Sequence, residues 1–186
     1  GGDGTINSLL NMIIPSAGQE RCATIRLGAI GLGSSNDFHK PLAPDRLIDG
    51  VPCTLDSSRA KLRDVGCVTF EEHGRWMTKY FLLNASIGIT AEANSSFNHP
   101  DHALQSLKKF STPAAILYTT MKTAINFHNR ALTIHTIETG EFTTGVTNLA
   151  IMKSPHVSGS LCYNTEAAYE NGAFSIHLCH DMNKLD

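Results

Sequence analysis

The sequence has little net charge and no long apolar run, and each absence removes a class of protein. Its 15 lysines and arginines are matched by 17 aspartates and glutamates, so no basic excess points to a nucleic-acid partner. It contains no apolar run of about 18 residues, the length at which a helix begins to span a bilayer. We therefore predict neither nucleic-acid binding nor a transmembrane segment.

Cysteine is sparse and odd in number. The five residues are Cys22, Cys53, Cys67, Cys162 and Cys179. Their wide spacing argues against a disulfide framework or a zinc site, and we predict reduced core residues of a cytoplasmic protein. With 41% hydrophobic residues over 186 positions and no internal repeat, the chain can bury a sizeable core.

Glycine, by contrast, is concentrated at two places, the first of which is Gly1-Gly2-Asp3-Gly4-Thr5. Apolar residues follow at helical spacing and predict a helix over residues 5–12. The glycines would then lie at a helix N-terminus, where free amides and the helix dipole favour an anion such as phosphate. Asp3 beside a phosphate suggests a cation such as Mg²⁺, or a role in orienting water or backbone. The same five residues also fit an ordinary glycine-rich turn, with Asp3 and Thr5 as helix caps.

The second glycine-rich stretch, GLGSSNDF at residues 31–38, follows an apolar run at residues 25–30 that reads as a short buried strand. Ligands of open α/β sheets bind at the carboxyl ends of strands. We expect both glycine loops to lie there, side by side.

Together the two stretches resemble the diacylglycerol kinase catalytic-domain family, which includes bacterial lipid kinases and is related to sphingosine kinases and NAD kinases. GGDGT is shared with NAD kinases, whereas a strand followed by G-x-G-[ST]-x-N-D-F is typical of the lipid-kinase branch. The second pattern is matched by Gly31, Gly33, Ser34, Asn36, Asp37 and Phe38.

The resemblance implies an α+β fold in two parts. Residues 1–43 would be the C-terminal part of a Rossmann-like α/β ATP-binding domain. Residues 44–186 would form an antiparallel β-sandwich with a helical insertion, incomplete at its C-terminus. Later stretches that are similar to the family are residues 81–88, FLLNASIG, and the glycine-containing segment 159–174.

The implied reaction is transfer of the γ-phosphate of ATP, with Mg²⁺, to the hydroxyl of a membrane lipid such as diacylglycerol. The enzyme would be cytoplasmic and peripheral to the membrane. The resemblance gives Asp3 and Asp37 the catalytic and metal-binding roles. The implied nucleotide-binding residues are Gly1, Gly2, Asp3, Gly4, Thr5, Asn7, Gly33, Ser34 and Asn36.

A second metal position is also implied. The family has an Asp-Gly turn whose aspartate holds a structural Mg²⁺ with two backbone carbonyls, and here Glu170-Asn171-Gly172-Ala173 stands in that place. The corresponding ligands would be the side chain of Asn171 and the carbonyls of Ala168 and Ala173. The chain also departs from the family at Ser8, where the family has Glu, and at Ser35, where it has Gly.

From about residue 49 the hydrophobic pattern changes to short β-rich runs. The predicted strands are 51–55, 65–71, 77–85, 131–138, 145–153, 159–163 and 173–179, and seven short strands suggest a sandwich. A helical insertion is predicted over residues 103–128, broken near Pro113 and capped by Asp101, and a hairpin turn is predicted at Gly140.

Two other functions fit the same residues. One is a phosphotransferase similar to NAD kinase, and the other is a non-catalytic module that binds a nucleotide or a lipid. The resemblance also implies a nucleotide-binding βαβ segment before GGDGT and a general-base glutamate after the sandwich. No strand and no methionine precede Gly1, and no glutamate here matches the family position, so we expect both parts to lie outside these residues. The stretch alone would then be inactive, and an exposed sheet edge would favour homo-oligomers.

Overall fold

The computed structural model of the chain describes residues 1–40, 44–158, 161–166 and 169–183. The helices of these ranges are α1 (Asp3–Ala17), α2 (Gln19–Cys22), α3 (Ile89–Asn98), α4 (His102–Phe110) and α5 (Thr112–Asn126). The strands are β1 (Ala29–Ile30), β2 (Arg46–Ile48), β3 (Val51–Thr54), β4 (Gly66–Glu72), β5 (Arg75–Phe81), β6 (Asn84–Gly88), β7 (Arg130–Thr136), β8 (Gly140–Met152), β9 (His156–Val157), β10 (Leu161–Cys162) and β11 (Ser175–His180). The predicted α+β class is confirmed. None of the helices in the described part of the chain has the length and apolar character needed to cross a bilayer.

The chain forms two compact units, each built from two segments. The first unit contains Gly1–Ala85 and Met152–Ser175, and the second contains Ser86–Ile151 and the chain from Ile176. The predicted domain boundary after residue 43 stays a prediction, as do the Rossmann-like and sandwich architectures.

Helix α1 carries the first glycine loop at its N-terminus. It begins after Gly2 and ends at Gly18, whose φ of 72° is a conformation that glycine adopts readily. It extends beyond the predicted 5–12 at both ends, and it tolerates Pro15 because in the last turn the proline removes a single intrahelical hydrogen bond. The helix is tied to β5 by Asn11, whose Nδ2 donates to the Tyr80 carbonyl at 2.8 Å and whose Oδ1 accepts from the Tyr80 N–H at 2.9 Å.

The second glycine loop follows β1, the edge of a three-stranded antiparallel sheet of order β1-β3-β2. The register pairs Ala29 with Thr54 and Arg46 with Cys53. The strand predicted over residues 25–30 is shorter in the structure because β3 pairs with its last two residues. A two-stranded hairpin, β4-β5, completes the larger elements of the first unit.

The second unit contains a four-stranded sheet of order β11-β8-β6, with β7 also paired to β8. The predicted hairpin turn between β7 and β8 is confirmed, with φ of 74° at Gly140. Helix α5 packs on both α3 and α4. Sequence analysis missed α3, and it treated residues 77–85 as one strand where the structure has β5 and β6.

The predicted helical insertion consists of two helices, α4 and α5, that meet at Ser111. The Ser111 hydroxyl caps α5 by accepting from the Ala114 N–H at 3.3 Å, and Pro113 lies in the first turn, where a missing N–H costs little. The predicted cap of α4 is confirmed, because Asp101 Oδ1 accepts from the Leu104 N–H at 2.8 Å.

The cysteines agree with the prediction only in part. All five are free thiols. Cys53 is buried in β3, but Cys67 and Cys162 are exposed, so their prediction as core residues was wrong. Cys67 follows the buried Gly66 on β4, and successive residues of a strand point to opposite faces.

Candidate functional site

The two glycine loops are in direct backbone contact within the first unit. A Cβ built on Gly2 would lie 2.8 Å from the Cα of Gly33, and a Cβ on Gly33 would lie 2.5 Å from the Cα of Gly2. Both distances are shorter than side chains tolerate, so this approach requires glycine on each side. The Gly1 nitrogen also donates to the carbonyl of Ile30 at 3.1 Å, at the end of β1.

The Asp3 carboxylate joins the same two loops. Its Oδ2 accepts from the Asp37 N–H at 3.0 Å, and its Oδ1 accepts from the Phe38 N–H at 2.8 Å. These amides open a short 3₁₀ helix, Asp37–His39, whose first N–H groups have no partner within the helix. Asp3 is therefore an orienting residue for the second loop, one of the roles that the sequence suggested for it.

Asn36 holds the second loop in shape. Its φ of 52° places it in the left-handed region, which asparagine tolerates better than most residues. Its Oδ1 accepts from the Gly33 N–H at 2.9 Å, and its Nδ2 donates to the carbonyls of Gly31 at 3.0 Å and Gly33 at 2.9 Å.

Asp37 is 5% exposed and forms an ion pair with Lys40, at 2.6 Å between Oδ1 and Nζ. With Asp3, the cluster has two carboxylates and one ammonium, a net charge of −1. A polyphosphate placed there would add further negative charge. Binding it would require a cation as well as backbone amides.

The remaining predicted nucleotide-binding residues lie on the exposed side of the loops. Gly4, Thr5 and Asn7 are exposed on α1, and Ser34 is exposed in the second loop. A Cβ on Gly4 would meet nothing within 4 Å, so the space beside the first turn of α1 is open. No side chain caps this helix at Gly2, so its first amides can serve an anion.

His39 is a residue that sequence reasoning missed. It is 6% exposed, its Nδ1 lies 3.0 Å from the Thr54 hydroxyl, and its Nε2 is buried without a hydrogen-bond partner. Burial lowers the pKa of His39, and the nearby Asp3 carboxylate partly opposes that shift. The sequence signal that could have identified His39 is its position directly after the Asn-Asp-Phe motif at residues 36–38.

The predicted residues of the second metal position belong to a different cluster of the first unit. Asn171 Oδ1 accepts from the Ala173 N–H at 3.1 Å, and the Ala173 carbonyl accepts from Lys153 Nζ at 2.6 Å. Ala168 lies outside the described residues. The Asn171 and Ala173 oxygens are thus bonded to protein donors, and the metal there stays a prediction.

Lys153 and Asp64, which complete this second cluster, were also missed. Lys153 Nζ lies 2.6 Å from Asp64 Oδ2, and the Gly172 N–H donates to the same oxygen at 2.8 Å. A sequence signal existed, because Lys153 directly follows an apolar strand, where a buried charge needs a partner. Across the ranges that the structure describes, no three His, Cys, Asp or Glu side chains gather as a metal-binding group.

The comparison with protein families identifies the first loop region. Residues 1–68 match the family model described as diacylglycerol kinase catalytic domain. The match covers both glycine loops, β3 and the start of β4. No curated protein and no solved structure matches the chain.

Proposed function

We propose that the chain transfers the γ-phosphate of ATP to the hydroxyl of a membrane lipid, because residues 1–68 match the family model described as diacylglycerol kinase catalytic domain. The match points to kinase-type phosphoryl transfer in general. ATP as donor and a lipid such as diacylglycerol as acceptor are the finer parts of the proposal.

The observation that carries the proposal is the joined pair of glycine loops. Gly2 and Gly33 bring their backbones together, and Asp3 accepts hydrogen bonds from the amides of Asp37 and Phe38. The open first turn of α1 then faces solvent beside this rigid pair. Phosphoryl transfer depends on positioning and on neutralising charge at the phosphoryl oxygens, and such a frame supplies positioning.

Mg²⁺ fits the carboxylates of this frame. Each oxygen of Asp3 accepts one N–H, and a carboxylate has about four acceptor positions, so capacity for a metal remains. Asp3 and Asp37 would hold the ion, which when bound supplies positive charge for the phosphoryl oxygens. Within the chain itself, the first amides of α1 bind phosphate, Asn36 keeps the second loop in shape, and Lys40 limits the negative charge of Asp37.

Access to a lipid substrate is the second part of the proposal. On α5, Leu117, Met121 and Ile125 are exposed at intervals of four residues, and Phe110 is exposed at the end of α4 beside Lys109. Apolar side chains next to a cation suit the surface of an anionic bilayer. We infer that this surface, called here the α4–α5 face, makes the peripheral membrane contact.

The reaction is tested with a polypeptide that also carries the segments expected outside these residues, incubated with radiolabelled ATP and Mg²⁺ and offered diacylglycerol, a sphingoid base, NAD or no acceptor. We expect label in a lipid that has a free hydroxyl. Asp37→Asn keeps the side-chain volume but removes the charge, so labelling should fall at least 100-fold, whereas the exposed Glu71→Ala should leave it unchanged. Labelling of NAD alone would support the NAD kinase alternative, and binding of ATP without any transfer would support a non-catalytic module.

A further inference from the structure

The second cluster contains an almost completely buried ammonium group. The Lys153 side chain is 2% exposed, and its Nζ donates to Asp64 Oδ2 and to the Ala173 carbonyl, both at 2.6 Å. The same nitrogen lies 5.1 Å from the centroid of the Phe174 ring, within reach of a cation–π interaction. The ammonium is therefore surrounded by a carboxylate, a carbonyl and an aromatic face.

All of these partners involve one loop, residues 169–174. Ala173 and Phe174 belong to it, and Asp64 is hydrogen-bonded to it. Asp64 contacts the loop twice, since its N–H donates to the Tyr169 carbonyl at 2.7 Å and its Oδ2 accepts from the Gly172 N–H at 2.8 Å. Hydrogen bonds from Lys153 and then from Gly172 lower the pKa of Asp64, so the carboxylate is charged at neutral pH. The loop is thus held by an ionised pair.

The backbone of Lys153 is itself fixed, so the ammonium position does not depend on a mobile chain. The N–H groups of Lys153 and Ser154 donate to the same Leu83 carbonyl, at 2.8 and 3.0 Å. This anchors the segment that follows Met152 to the segment between β5 and β6, within the first unit. A buried charge held in this way requires its partners, because an uncompensated buried charge is strongly destabilising.

We propose that the Lys153 ammonium is the resident cation of the 169–174 loop and orders it without a divalent metal ion. A metal at this position would use the Ala173 carbonyl that already accepts from Lys153, and it would lie beside a positive charge that repels it. Asn171 offers a neutral oxygen where a divalent ion favours a carboxylate, and that oxygen accepts from the Ala173 N–H. The inference does not depend on the proposed reaction. If both hold, the Mg²⁺ that catalysis requires binds at the glycine loops and not at the 169–174 loop.

The test compares thermal unfolding and amide exchange at Gly172 and Ala173, with Mg²⁺ or with EDTA, in the absence of nucleotide. For the unmodified protein we expect the same Tm within about 1 °C and the same exchange rates in both buffers. Lys153→Gln should lower Tm by about 5 °C and accelerate exchange at Gly172 at least tenfold, because it leaves Asp64 without its ammonium partner. The exposed Lys79→Gln, in the same unit, is the matched control and should change neither.

A lower Tm or faster exchange at Gly172 with EDTA in the unmodified protein would overturn the proposal, and this arm needs no variant. A Tm and an exchange rate in Lys153→Gln equal to those of the unmodified protein would also overturn it. If that variant does not fold, Lys153→Arg, which keeps the charge, should restore folding under the proposal. Kinase activity is not among the readouts, so a failure here is distinct from a failure of the proposed reaction.

Discussion

At the scale of single residues, the candidate site depends on glycines whose substitution has opposite consequences. A Cβ on Gly33 would lie 2.5 Å from the Cα of Gly2. The Gly2 backbone cannot move away from it without separating the two loops. Gly4 is only two residues from Gly2, yet a Cβ there meets nothing within 4 Å. Glycine is therefore required by a close backbone contact at Gly33, whereas at Gly4 there is room for a side chain.

Gly33→Ala should lower the free energy of unfolding by about 1–3 kcal/mol, the usual cost of forcing extra atoms into a packed contact. Gly4→Ala should keep or raise it, by up to about 1 kcal/mol, because alanine favours the helix. Chemical denaturation followed by circular dichroism measures both. Equal stability of the two variants would contradict the loop contact. Loss of ATP binding in a stable Gly4→Ala protein would favour phosphate at the first turn of α1.

At the scale of elements, the helices of the second unit combine a packed side with an exposed apolar side. Ala115, Thr119 and Thr123 of α5 are buried, whereas Leu117, Met121 and Ile125 on the same helix are exposed. The spacing of four residues places the exposed set on one stripe. Together with Phe110, which is exposed at the end of α4, this stripe makes up the α4–α5 face proposed for membrane contact.

Replacing two apolar residues of that face, in Phe110→Asp/Leu117→Asp, should reduce co-sedimentation with phosphatidylglycerol-containing vesicles at least tenfold. The physical reason is that each change removes apolar area that a bilayer would bury and adds a charge that an anionic bilayer repels. Ile137→Asp, at the fully exposed tip of the β7–β8 hairpin in the same unit, is the control and should bind as the unmodified protein does. Full vesicle binding by the double variant would remove the α4–α5 face from the proposal.

At the scale of the whole molecule, stability should fall in two steps as pH decreases. Burial lowers the pKa of His39 below its ordinary value of 6.5, so its contribution is complete above pH 6.5 and is lost as pH falls through the folded-state pKa. Hydrogen bonds likewise lower the pKa of Asp64 below 3.8, so its contribution is complete above pH 3.8 and is lost at lower pH. The two pH ranges over which stability is lost begin at different values, so two separate declines are expected.

Urea midpoints measured from pH 8 to pH 2 should therefore decline first below about pH 6.5 and again below pH 3.8. His39→Gln should remove the first decline and keep the second, because glutamine does not titrate. A midpoint that stays constant between pH 6.5 and 5 in the unmodified protein would show that His39 is not buried as a neutral side chain.

Local patterns in the sequence were sufficient for the features that depend on few residues. Asp101 as a helix cap and Gly140 in a hairpin turn were predicted correctly, because capping and positive φ are decided by neighbours in the chain. The two glycine motifs likewise pointed to the family model that residues 1–68 match, because a close approach of two backbones requires glycine at the contact.

Tertiary structure decided what depends on residues far apart in the chain. The orienting role of Asp3 follows from its contacts with Asp37 and Phe38, more than thirty residues away, and its metal role stays a prediction. Lys153 and Asp64 are separated by 89 positions, and no local pattern signals that an ammonium at the end of β8 meets this carboxylate. Burial and long-range pairing set the free energy of such charges, and both arise only when the chain has folded.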